Sequence, residues 1–145
     1  MALALDVAKY FLTLSEPDEG DVVTHLKLQK LCYYAQGSAL AVLGRPLFDE
    51  QILAWEHGPV VREVWEAYRQ YASGAIPVPA DFDAEAVLTA EERELLDEVW
   101  NVYGQFSAWK LRNLTHEESP WANAVRDAVI PHEALRTFFR TRVVA

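Results

Sequence analysis

Apolar residues recur along most of this chain at intervals of three and four, the spacing that places them on one face of a helix. Leu3, Val7, Ala8, Phe11 and Leu14 predict a first helix over residues 3–14, ended by Ser15-Glu-Pro-Asp-Glu-Gly20. The strongest helical pattern follows, from Thr24 to Leu43. Thr24 is the expected N-cap, Leu28, Leu31, Cys32, Ala35, Ala39 and Val42 form an apolar stripe, and Gly44 with Arg45-Pro46 stops it. Residues 51–56 fit either an extended segment or a brief helix. Gly58-Pro59 is expected to open another helix, with Pro59 at its first position, where a missing N–H costs nothing. Val61, Val64, Trp65, Tyr68 and Tyr71 would share its face. Ser73 to Ala80, with Gly74, Pro77 and Pro79, reads as a loop or edge strand.

Farther on, Thr89-Ala-Glu-Glu92 is a capping box ahead of Leu95, Leu96, Val99, Trp100 and Tyr103, with Gly104 as the stop. Ser107 is the next expected N-cap, Ser119-Pro120 repeats the start signal, and Ile130-Pro131 opens a last helix carrying Leu135, Phe138 and Phe139. The expected architecture is mainly α: one multi-helix domain of about seven helices spanning residues 1–145. A small β-hairpin has room between residues 51 and 80.

Composition narrows the class. At 145 residues with 51% hydrophobic and 24% charged residues, the chain is long enough to fold around one core without a metal or disulfide staple. A single cysteine, Cys32, excludes an intrachain disulfide and lies on the apolar stripe of the second helix. The formal charge is −9, and residues 81–98 hold eight acids against the single base Arg93. Such a field repels phosphate backbones and anionic membranes. The N-terminus has no basic stretch followed by an apolar run, and nothing approaches the length of a bilayer span. A cytoplasmic location is the expectation.

Catalytic and metal motifs are not recognisable. His116-Glu117-Glu118 has no second histidine at zinc-protease spacing, and His25, His57, His116 and His132 are dispersed. There is no phosphate-binding glycine loop and no nucleophile elbow. Neither a cofactor nor a metal is expected. Gly37-Ser38 inside the second helix reads as a point of close helix approach. His25, Lys27 and Lys30 form a small basic cluster at the start of that helix, but two lysines do not make a basic stripe, and they read as ordinary surface lysines. Two segments stand apart from packing logic, Trp55-Glu-His-Gly-Pro-Val-Val61 and Leu114-Thr-His-Glu-Glu-Ser-Pro-Trp121. Each places a histidine and a tryptophan where the chain turns.

Taken in order, several segments resemble the SocA/Panacea family of antitoxins. They are Leu26-Lys-Leu-Gln-Lys-Leu31 with Tyr33-Tyr-Ala-Gln-Gly37, then Pro46-Leu-Phe48 with Ala54-Trp55, then His57-Gly-Pro-Val-Val61, Ser107-Ala-Trp109, and Leu114-Thr-His116 through Ser119-Pro-Trp121. The resemblance implies binding and not catalysis: a cognate toxin protein as partner, neutralised directly or by delivery to the ClpXP protease. Some relatives are known only as phage-associated proteins. Some carry an added DNA-binding segment, for which this chain has no evident room. The partner-binding residues it suggests are Lys27, Gln29, Lys30, Tyr33, Gln36, Trp55, His57 and His116. An equally weighted reading makes Tyr33, Trp55 and His116 a buried hydrogen-bonded network that sets helix register. Two other functions stay open: a small enzyme that modifies its target, suggested by His57 and His116, and a DNA-binding regulator, suggested by Lys27 and Lys30.

Overall fold

The computed structural model describes residues 1–20 and 22–142, and its organising element is one helix buried on nearly every side. This is α2, His25–Val42, in which 14 of 18 residues are buried, among them Lys27, Gln29, Lys30 and Gln36. A helix with no solvent face cannot be amphipathic, so its polar residues must find partners inside the protein. Thr24 caps it as expected, its hydroxyl accepting from the Lys27 N–H at 3.3 Å.

Around α2 pack α1 (Ala4–Leu14), α5 (Ala90–Tyr103), α6 (Ala108–Glu117) and α8 (His132–Arg140). Short α-helices at Arg62–Tyr68 (α3), Ala84–Val87 (α4) and Ser119–Ala122 (α7), with 3-10 turns at Pro17–Glu19 and Arg69–Tyr71, complete a mainly helical domain. The core joins Phe11 and Leu12 of α1 to Leu28, Leu31, Tyr33, Tyr34 and Leu40 of α2, with Leu96, Leu111, Leu135 and Phe139 closing it. Each such side chain contributes roughly 1.5–3 kcal/mol of hydrophobic stabilisation. Where α2 meets α8, a Cβ on Gly37 would lie 2.2 Å from the Phe139 ring, so close helix approach requires glycine there.

The capping box is present: the Thr89 hydroxyl accepts from the Glu92 N–H at 3.1 Å, and the Glu92 carboxylate accepts from the Thr89 N–H at 2.9 Å. Seven of the eight acids between residues 81 and 98 are exposed. Glu92 is the exception, buried and paired with Arg45 at 2.8 Å, which together with its two Thr89 contacts holds its carboxyl below the usual range against the cost of burial.

One sequence expectation is overturned at Pro59. The chain forms a hairpin of β1 (Ile52–Trp55) and β2 (Gly58–Val61), and the next helix starts only at Arg62. Proline is tolerated because Pro59 faces Ala54 at a position where the two strands exchange no hydrogen bond. Ala54 instead gives its N–H to Ala128 O and takes the Asp127 N–H, at 2.9 and 2.8 Å. With Ile130 N–H on Ile52 O, residues 127–130 cover the outer edge of β1.

Candidate functional site

The other edge of the hairpin is covered by side chains of α2. Gln29 accepts from the Val61 N–H at 2.8 Å and donates to the Val61 carbonyl at 3.2 Å, doing with one amide what a third strand would do. Its NH2 also meets His25 Nε2 at 3.0 Å. One residue further, the Lys30 amine donates to Pro59 O at 3.3 Å. Lys30 is completely buried, and burial, reinforced by the Arg112 guanidinium, pushes its amine down to about 7. The turn above it is built for this approach. Gly58 has φ +117°, and a Cβ there would lie 2.7 Å from Lys30 Cε and 3.0 Å from Thr115 Oγ1.

A second layer comes from α6 and α7. The His116 ring lies flat on Trp121, centroids 3.9 Å apart and 7° from parallel, and Arg126 covers the other side of that tryptophan at 3.6 Å. Trp121 Nε1 donates to Trp55 O at 2.7 Å, and the His57 backbone favours the charged form of the His116 ring. Both turn segments singled out in the sequence therefore meet at the hairpin tip. Burial, then Arg112, lowers the His116 ring below the ordinary histidine range, and burial, then Lys30, does the same to His25.

Between the hairpin, α2, α3 and α6 opens a cleft of about 600 Å³. Lys30 and Arg112 lie in its wall, with Trp55, Trp65 and Trp109 around them and His57 at the tip. The Trp55 and Trp65 rings meet edge to face at 5.6 Å, and Trp109 is 63% exposed. Arg112, Trp65 and Trp109 escape a reading based on local motifs. A signal was available: Trp109, Arg112 and His116 stand at i, i+3 and i+7, one stripe along α6 beside the buried Leu111 and Thr115.

The expected partner-binding residues divide into two groups. Trp55 and His57 are accessible at the hairpin tip, and His116 supports it from behind. Lys27, Gln29, Lys30, Tyr33 and Gln36 are buried. Lys27 donates to Gly104 O at 2.6 Å, at the carbonyl end of α5, and lies 5.5 Å over Trp100. Tyr33 and Tyr34 both donate to Glu118, at 2.9 and 3.0 Å, and burial raises that carboxyl above its usual range despite the two hydroxyls. Gln36 accepts from the Leu47 N–H and donates to Phe48 O, each at 2.8 Å, holding the loop after α2. The expectation that Lys27 and Lys30 are surface lysines is corrected: at 6% and 0% exposure both are inside, Lys27 against the end of α5 and Lys30 against the hairpin. Cys32 is buried and its thiol is pushed up to about 12, as suits a core residue.

The fold and the cleft define a mainly helical domain with an aromatic-walled hairpin tip over a buried lysine. The family model for the antitoxin SocA-like Panacea domain matches residues 28–122, more than half of the 145-residue chain, and the chain belongs to that family. Searches of the curated proteins and of the solved structures return no match. No group of histidine, cysteine or acidic side chains among the described residues is arranged to hold a metal ion, and no helix among them is long and apolar enough to cross a membrane.

Proposed function

We propose that this protein is a cytoplasmic antitoxin that binds a cognate toxin protein, and that the hairpin tip around Trp55 and His57 is where the toxin docks. The observation that carries the reading is the family match over residues 28–122, the stretch that contains the hairpin, both turn segments and most of the residues lining the cleft. The physical support is local. Tryptophan and arginine dominate binding hot spots, and here Trp55, Trp65 and Trp109 surround Arg112 on an accessible concave surface. On this reading the buried residues Lys27, Gln29, Lys30, Tyr33 and Gln36 act through the elements they position. The exposed acids of α4 and α5 add attraction for a basic partner.

The test is co-expression with the product of the adjacent gene. Restored growth and co-purification of the two products support the reading; a neighbour whose toxicity is undiminished removes it. Neutralisation that disappears in cells lacking ClpXP assigns delivery to the protease, and neutralisation that persists assigns direct inhibition. The enzymatic alternative rests on His57 and His116. Substituting both by alanine without loss of neutralisation disposes of it.

A further inference from the structure

The cleft carries a chemical imbalance that docking of a protein does not by itself explain. Arg112 Nε and His116 Nε2 are the two buried side-chain nitrogens without a hydrogen-bond partner among the described residues, and they stand one turn apart on α6. Lys30, wholly buried, faces the same region and donates to Pro59 O, so an ammonium there has donors to spare. The groups bearing on Lys30 are His25 on its own helix, Arg112 and His116 on α6, and the Pro59 carbonyl on the hairpin. None of these is acidic. Glu56 and Asp127 lie on the lip of the cleft, but neither forms an ion pair with Lys30 or Arg112. In a chain of charge −9, the missing counter-charge at a wholly buried lysine is the feature to explain.

A buried charge without a partner is costly, and an anionic ligand at this place would supply the missing counter-charge. The volume agrees: about 600 Å³ falls in the range of small-molecule pockets. The walls indicate what else the ligand carries. Trp55, Trp65 and Trp109 present ring surface around the cations, and Arg112 itself lies 4.7 Å over Trp109. Flat rings stack on such walls regardless of their hydrogen-bonding edges.

We infer that this cleft binds a small oxyanion carrying a planar ring, of the nucleoside monophosphate class, with Lys30 and Arg112 holding the anion and the tryptophans holding the ring. The site shares Trp55, Trp65, Trp109 and Arg112 with the proposed docking surface, but its ligand is tested without any toxin. Titration calorimetry of the purified chain with AMP, GMP, CMP and UMP, and with inorganic phosphate, is the experiment. At least one nucleotide binds with a Kd below about 1 mM, and inorganic phosphate binds about tenfold or more weakly. Arg112→Gln weakens the nucleotide about tenfold or more. Lys30→Met, which fills the same space without the charge, does the same and guards against an Arg112 variant that fails to fold. Binding favours the protonated form of Lys30, so proton uptake from the buffer is greater in the native chain than in Lys30→Met.

Absence of binding by all four nucleotides overturns the inference, as does binding that neither substitution weakens. Phosphate binding as tightly as the nucleotides overturns the role of the tryptophans. If no nucleotide binds while Arg112→Gln abolishes toxin binding, the cluster serves a carboxylate of the protein partner, and the small-ligand assignment is wrong while the antitoxin reading stands.

Discussion

The side-chain amide of Gln29 closes a two-point hydrogen-bonded pair with the backbone of Val61, so one residue of the central helix completes the edge of the hairpin. Val61 is buried, and removing the amide leaves its N–H without a partner. Gln29→Ala is expected to lower unfolding free energy by about 2–4 kcal/mol. Denaturant titration measures this, and hydrogen exchange should show the Val61 amide losing protection before the amides of α2.

Lys30 makes stability depend on pH in a defined direction. The unfolded chain holds this proton to about 10.5, whereas the folded chain releases it near 7. Between those values the unfolded state binds more protons, so stability rises as pH rises through the window. Over the whole window the contribution is on the order of 5 kcal/mol. Lys30→Met should remove the upward slope between pH 7 and 9, and should exceed the native chain in stability at pH 7. Paired denaturation curves at several pH values show it; parallel slopes for the two proteins would refute it.

The turn at Gly58 combines two constraints that separate by mutation. Its φ of +117° disfavours any side chain, and its Cβ position is occupied by Lys30 Cε. Gly58→Ala should cost about 1–3 kcal/mol from backbone strain alone, with the collision in addition. Shortening the neighbour in Gly58→Ala/Lys30→Ala recovers the collision cost and leaves the strain. A double-mutant cycle in urea reports the difference as a nonzero coupling.

Helix packing at Gly37 offers a cleaner steric case. Gly37 lies in an ordinary helical conformation, and the obstacle is the Phe139 ring at 2.2 Å from a built Cβ. Gly37→Ala should destabilise by about 1–3 kcal/mol despite the better helix propensity of alanine. In the Phe139→Leu background the same change should cost clearly less.

These residues also show where sequence reasoning reaches and where it stops. Helices with a clear periodicity or a chemical cap were legible: Thr24, Thr89 and Ser107 cap the helices expected of them. A close helix approach at Gly37-Ser38 was legible because small residues inside an apolar helix leave room for a neighbour, and the contact falls at Gly37. Pro59 was not, because proline suits both a first helical turn and an unbonded strand position, and the choice depends on residues 127–130 arriving far along the chain. Lys30 and Gln29 looked superficial because polar residues on a helix normally face water. Only the encirclement of α2 by four helices and a hairpin forces them inward. The cleft escaped for a related reason: Trp55, Trp65 and Trp109 are brought together by tertiary packing, and no local pattern records that.

The central claim is that a toxin protein docks on the Trp55–His57 tip, and the most direct measurement is the affinity between the purified chain and the purified product of the adjacent gene. A stable complex is predicted, with Trp55→Ala weakening it about tenfold or more and leaving the thermal transition of the free chain cooperative. Absence of a complex at micromolar concentrations, or a complex that Trp55→Ala and His57→Ala both leave unchanged, would contradict it.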